Sequence, residues 1–310
     1  MIARLETKPI SIGTAYLAAD GFTRQLIDEL KDVTDVYDRL IVTSSEVQEA
    51  YWCQNIWFDV ARIPIGSIGD GAKKLKAIQK HWSLYPYQAH RRAALIADQL
   101  PKFKVPPLEF GAALPAYDLG SWTLIDDHTM LVAGKCLSKF ANGELNFVEN
   151  KIDPPNRAYL KLWEALTVID KQPKAGETCI DLGASPGGWT WVLAQLGADV
   201  IAIDRSPLDP RIEGLPNVKT QKGNAFSVKP EDYDKPIDWL FSDVICYPDK
   251  LYEYLQPWIQ SGKCKNFVVT LKFQGHEHYH MAAKFAQIPG STVRHLFQNK
   301  HELTWTLLGK

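Results

Sequence analysis

The apolar positions along the chain fall into two regimes. From residue 156 onward, short apolar runs alternate with stretches of helical periodicity. Tyr159, Leu160, Trp163, Leu166 and Ile169 recur at near-helical spacing and predict a helix from Asn156 to Asp170. Asn156 stands where an N-cap is needed. Thr178 to Leu182, Asp199 to Ile203, Ile237 to Phe241 and Asn266 to Leu271 are short, mainly apolar runs of strand length, and Gly187 to Leu196 reads as a helix after the first of them. Strands apolar on both faces and separated by helices predict a parallel sheet covered on both sides. Val293 to Phe297 and Glu302 to Leu308 flank Asn299-Lys300 and predict a closing antiparallel hairpin.

The first half is patterned differently. Helices are predicted from Phe22 to Lys31, Ala72 to Trp82 and Gln88 to Leu100. Strands are predicted from Leu40 to Ser44, Ile56 to Ile63, Trp122 to Asp126 and Met130 to Leu137. That is an α+β pattern. Between the halves, Pro154 and Pro155 forbid both a continuing helix and a central strand. The expected division is therefore a domain of residues 1–150 and a domain of residues 151–310.

Composition narrows the class. The chain has 310 residues, 45% hydrophobic and 23% charged, which excludes a disordered chain. Its 35 Lys+Arg against 36 Asp+Glu exclude a uniformly basic coat but not a local basic patch. Ten tryptophans point either to stacking surfaces or to well-filled cores. The five cysteines are odd in number and none form a CxxC pair, so reduced thiols are expected rather than a disulfide framework or a zinc knuckle. Arg4, Glu6 and Lys8 are followed by no apolar h-region, and the longest uncharged run, Leu182 to Ala198, is broken by Pro186 and glycines. No signal peptide, no membrane span and a cytoplasmic location are expected.

The most informative stretch is Asp181-Leu182-Gly183-Ala184-Ser185-Pro186-Gly187-Gly188-Trp189. An apolar strand runs into a glycine-rich turn that opens a helix, so the backbone can approach a ligand closely. The order GxxxGG matches neither the GxGxxG dinucleotide fingerprint nor a Walker A loop. Asp181 before the loop and Asp204 ending the next strand suit a cationic, ribose-bearing ligand. S-adenosylmethionine, with its amine, sulfonium and ribose, fits best.

DLGASPGGW, preceded by NRAYLKLWEA and followed in order by DWLFSDV, FVVTLKFQG and HELTW, resembles the FtsJ-type ribose 2'-O-methyltransferases, and among them the RlmM-type 23S rRNA cytidine 2'-O-methyltransferases. The resemblance implies a Rossmann-like class I methyltransferase fold behind a THUMP-like RNA-binding domain. It implies a tetrad of Lys161, Asp243, Lys272 and Glu302, with Lys272 as general base for the ribose 2'-hydroxyl. It also implies cofactor contacts from Asn156, Ser185, Pro186, Gly187, Gly188, Trp189, Asp204, Asn224 and Asp243. The family's Asp and Ser are replaced here by Asn224 and Asn156. A lysine at its ordinary pKa of about 10.4 is a poor base, and burial beside a second cation, here Lys161, lowers it. A net-neutral cluster of two lysines and two carboxylates is less costly to bury than a lone charge.

An RNA substrate, expected to be rRNA, needs a grip. Residues 71–105 carry Lys73, Lys74, Lys76, Lys80, Arg91, Arg92, Lys102 and Lys104 against Asp98 alone, with Trp82, Tyr85, Tyr87 and Phe103 interleaved. Lys73, Lys74, Lys76, Arg91 and Arg92 are the candidate phosphate contacts. His276, His278 and His280 form an HxHxH run with no accompanying ligand motif, so no metal is expected. Two other readings stay open: a methyltransferase for a non-RNA substrate, and an RNA-binding ribosome-assembly factor that keeps the fold without turnover.

Overall fold

A computed structural model describes residues 11–273, 275 and 278–309. The chain divides into two compact units, one running to Leu108 and taking in Ala112–Asn146, the other comprising Glu109–Gly111 and the chain from Phe147 onward.

The first unit contains β1 (Ser11–Ala18), α1 (Thr23–Glu29), β2 (Val33–Tyr37), β3 (Leu40–Thr43), β4 (Cys53–Pro64), α2 (Ile68–Ile78), β5 (Trp82–Leu84), α3 (His90–Asp98), β6 (Gly120–Leu124), β7 (Thr129–Ala133) and β8 (Lys135–Cys136). Its sheet has the order β2-β3-β1-β4-β7-β6-β5, with β8 on β4. Strand alternation builds two cores. Met130 and Val132 face one, with Ile63 and Trp122 and the apolar sides of α2 and α3. Leu131 and Ala133 face the other, with Trp57, Val60 and Tyr85. Gly71 of α2 lies under Ile96 of α3, where an added Cβ would sit 3.1 Å from the isoleucine.

Two expectations here need correction. The helix expected from Ala72 to Trp82 begins at Ile68, because Ser67 caps it by accepting the Asp70 N–H, and it ends at Ile78. Trp82 lies in β5, its indole N–H bonded to Leu75 and Gln79 carbonyls. The strand expected from Met130 to Leu137 breaks at Gly134 into β7 and β8. Among the interleaved aromatics Tyr85 is buried and donates to Asp38 at 2.9 Å, while Trp82, Tyr87 and Phe103 are half-buried. Trp52, Trp57, Trp122, Trp239, Trp258 and Trp305 are fully buried, so the tryptophans serve the cores.

The second unit contains α4 (Tyr159–Ile169), β9 (Thr178–Leu182), α5 (Gly188–Gln195), β10 (Asp199–Asp204), α6 (Pro210–Glu213), β11 (Val218–Lys222), β12 (Ile237–Ser242), α7 (Pro248–Ser261), β13 (Cys264–Lys272), α8 (His280–Ala286), β14 (Ser291–Arg294) and β15 (Glu302–Leu308). The sheet order is β11-β10-β9-β12-β13-β15-β14. β9 to β13 pair in parallel, while β15 runs antiparallel between β13 and β14. The strand order reverses between β9 and β12, and a ligand crevice forms at the carboxyl ends of strands at such a switch point. Gly183 and Asp243 follow those two strands.

Two boundaries differ from expectation for local reasons. α4 begins at Tyr159, because the Asn156 side chain closes its own turn onto Ala158 N at 3.0 Å instead of capping a longer helix. β14 ends at Arg294 and a seven-residue loop, 295–301, replaces the expected tight turn. The N–H groups of Phe297 and Gln298 leave the ladder for the carboxylate of Glu164. Among the described residues no helix is long and apolar enough to cross a membrane.

Candidate active site

The switch point opens into a continuous cleft. One part is lined by Asn156, Ser185, Gly188, Asp204, Asp243 and Lys272, among others. The adjoining part adds Asn224, Phe226, Cys246 and Tyr247, and the two share Gly183, Asp204, Val244 and Ile245. Two glycines make the cleft possible. A Cβ on Gly183, whose φ is +75°, would lie 2.9 Å from Val244 Cβ, and one on Gly188 would lie 2.2 Å from Asn156 Oδ1.

The carboxylates along this cleft are held for different tasks. Asp204 accepts backbone N–H groups from Ser185 at 3.0 Å and Ser206 at 2.8 Å, which fixes it at the rim with lone pairs left for hydroxyl donors. Asp181 is buried and accepts from Thr190 Oγ1 at 2.6 Å. Burial, followed by the nearby charges of Asp243 and Asp204, pushes its carboxyl up to about 7 against the Thr190 bond. Asp204, which no lysine or arginine pairs with among the described residues, is the acid placed to face a cationic ligand.

Beside them the four tetrad candidates converge. Asp243 is the hub. Its Oδ1 accepts from Thr270 Oγ1 at 2.7 Å and lies 3.0 Å from Lys272 Nζ. Its Oδ2 lies 3.4 Å from Lys161 Nζ, which also pairs with Glu302. Lys272 Nζ donates a second bond to the Asp243 carbonyl. Topology assembles this set: Lys272 and Glu302 are directly opposite in the β13–β15 ladder, and Lys161 comes from α4. Burial opposes the Lys161 charge, but Asp243 and Glu302 outweigh it and hold the ammonium above its ordinary value. Lys161 is thus a standing cation.

Other candidates play different parts. Pro186 and Gly187 shape the loop without lining the cleft. Trp189 reaches the cleft wall, but its indole N–H is bonded to the Ala158 carbonyl at 3.0 Å and its ring is buried. Asn224 is exposed at the far end and accepts from Phe226 N at 3.3 Å. His276 lies outside the described residues. His278 stands beside Tyr247, with ring centroids 5.1 Å apart. In the first unit Lys73, Lys76 and Arg91 are exposed, whereas Lys74 is engaged by Asp70 and the Pro64 carbonyl. Arg92 is half-buried, with Nε and one terminal nitrogen lacking a hydrogen-bond partner among the described residues. Thr270 escaped sequence reasoning. The strand period of two puts it on the same face as Lys272, and that was the available signal.

An α/β sheet with its cleft at the switch point, an acidic rim and a glycine-rich first turn defines a methyltransferase-type unit. Residues 154–299 match the family model for FtsJ-like methyltransferase. Over this unit the chain is similar to the FtsJ-like methyltransferases. It is similar to the ribosomal RNA large subunit methyltransferase M of Azoarcus sp. (strain BH72), 36% identical over 124 residues, covering 38% of this chain and 33% of that protein. The protein of the same name from Halorhodospira halophila is 37% identical over 121 residues, covering 38% and 35%. That of Xanthomonas oryzae pv. oryzae is 28% identical over 264 residues, covering 81% and 69%. The first of these matches span about a third of the relatives' own length. The methyl donor of such a unit is S-adenosylmethionine, and the residues present fit it. Asp204 offers acceptors for ribose hydroxyls and faces a positive ligand, and Gly183 and Gly188 let the backbone come close.

Proposed function

We propose that this chain is an RNA ribose 2'-O-methyltransferase acting on large-subunit rRNA, with the second unit catalytic and the first, THUMP-like unit gripping RNA. The observation that carries the reading is the Lys161–Asp243–Lys272–Glu302 cluster at the cofactor cleft. S-adenosylmethionine, when bound, supplies an electrophilic methyl group. Asp204 would hold its ribose, and Asn224 its adenine amino group.

Lys272 serves as the base by geometry. A neutral amine has two N–H donors and one lone pair. Asp243 Oδ1 and the Asp243 carbonyl accept both donors, which leaves the lone pair for the cleft that Lys272 lines. There it takes the proton of the ribose 2'-hydroxyl as the oxygen acquires the methyl group. Lys161 stays charged between Asp243 and Glu302, and so fixes the carboxylate that orients Lys272. Thr270 locks the same carboxylate from the strand side. Holding the hydroxyl beside the donor methyl supplies the remainder of the rate by orientation.

The names of the relatives favour rRNA over other substrates. Exposed Lys73, Lys76 and Arg91 on adjoining helices are the proposed phosphate contacts. The direct test is incubation of the chain with radiolabelled S-adenosylmethionine and total bacterial RNA, followed by mapping of the modified nucleotide. Label confined to one 23S rRNA ribose is expected. Label absent from RNA, or found on protein, would overturn the reading.

A further inference from the structure

Glu164 is a charged residue with an unusual setting. It lies in α4 one turn after Lys161, is 3% exposed, and no cation pairs with it among the described residues. Its Oε1 accepts the Phe297 N–H at 2.8 Å and its Oε2 the Gln298 N–H at 2.7 Å. These consecutive amides sit in the middle of loop 295–301, whose last residue precedes Glu302. The loop is braced internally. Asn299 is buried, donating its backbone N–H to the Leu296 carbonyl at 3.0 Å and its amide to Thr304 Oγ1 at 3.0 Å. His295 Nε2 lies 3.3 Å from the Lys300 carbonyl.

Burying a carboxyl group with only two amide donors to satisfy it is costly, whether it stays ionised or takes up a proton. A two-residue turn would close the same hairpin without that cost. What the costly arrangement adds is a fixed relation between α4 and the start of β15. Those two elements contribute Lys161 and Glu302, the paired ends of the tetrad. Positions three apart on a helix share a face, so one helix face carries both the ion pair and the clamp.

We propose that Glu164 is a positioning residue: its carboxyl fastens loop 295–301 to α4 and thereby sets Glu302 against Lys161. The inference rests on the methyltransferase reading for its consequence, but not for its geometry. Burial pushes the Glu164 carboxyl up to about 8 against its two amide donors. The titratable groups on the opposing loop are His295, Lys300 and His301, and on its own helix Tyr159 and Lys161.

The test uses the full chain with Glu164→Gln, which keeps the shape and turns one acceptor into a donor. Site-resolved amide hydrogen exchange is expected to speed up at least about tenfold at Phe297, Gln298 and Glu302. Methyl transfer to total RNA is expected to lose about tenfold or more in kcat, with KM for S-adenosylmethionine within about twofold. Glu164→Met, which removes the buried polar group altogether, serves if the glutamine variant does not fold. Exchange unchanged at Phe297 and Gln298, or changed there but not at Glu302, overturns the clamp. Faster exchange with unchanged kcat overturns the positioning role. If the wild type transfers no methyl group to RNA, the functional reading fails, while the exchange result still decides the clamp.

Discussion

Replacing Lys161 with methionine removes one ammonium and keeps most of the side chain's volume. Glu302 then loses its lysine partner, and of its two lysine contacts Asp243 keeps only Lys272. Side-chain exposures are 16% for Lys161, 17% for Asp243 and 10% for Glu302, so water solvates them poorly. Breaking a buried pair by removing one partner costs about 3–5 kcal/mol, and residual solvent access trims this to about 2–4 kcal/mol. A loss of 3 kcal/mol corresponds to a fall in Tm of about 6–12 °C for a unit of this size. The pH dependence follows from the direction of the shift. The Lys161 pKa lies above its unfolded value, so its contribution is complete through the neutral range and fades only as pH rises through the raised value. The deficit of the variant should therefore shrink in alkali, as the wild type loses the same charge. Calorimetry of the full chain at pH 7.5 and again in alkali measures both effects. A variant within about 0.5 kcal/mol of the wild type at pH 7.5, the range of ordinary surface changes, would refute the account of the cluster.

Three further outcomes are expected. Gly188→Ala drives a Cβ into Asn156 Oδ1, so S-adenosylmethionine affinity should fall at least about tenfold by calorimetric titration, with overpacking costing about 1–3 kcal/mol. Asp181 has a folded pKa raised from 3.8 to about 7, so the folded state binds the proton more tightly and wild-type stability falls as pH rises between those values. In Asp181→Asn that slope should flatten, as denaturant titrations between pH 4 and 7.5 will show. Arg91→Glu should weaken binding to total RNA, and the deficit should shrink with added salt in filter binding; an unchanged salt slope would remove Arg91 from the interface.

The second unit is largely legible because its central strands are buried on both faces. β9, β10, β12 and β13 are mainly apolar runs of strand length despite the acidic residues they carry. β11 was not legible: four of its five residues are exposed, so Val218-Lys219-Thr220-Gln221-Lys222 carries no periodic apolar signal. β1 was hidden by Gly13, Thr14 and Ala15, small residues whose burial comes from pairing with β3 and β4. The tetrad positions followed from local motifs, but their joining depends on register and helix placement, which no short window encodes. Glu164 looked like an ordinary helical glutamate. Its meaning lies 133 residues away in Phe297, and long-range bonds of this kind leave no local trace.

In the proposed mechanism Lys272 removes the proton of a ribose hydroxyl in a donor-loaded cleft. The most direct measurement pairs methyl transfer by wild type and Lys272→Ala with S-adenosylmethionine binding by the same two proteins. Alkali cleaves RNA only beside a free 2'-hydroxyl, so a 2'-O-methyl group survives hydrolysis in a dinucleotide. The account predicts label in alkali-resistant dinucleotides for wild type. For Lys272→Ala it predicts a loss of about 10²–10⁴-fold, the usual worth of a general base, with donor affinity nearly unchanged. Label released in mononucleotides, or a Lys272→Ala variant that transfers methyl groups at the wild-type rate, would contradict it.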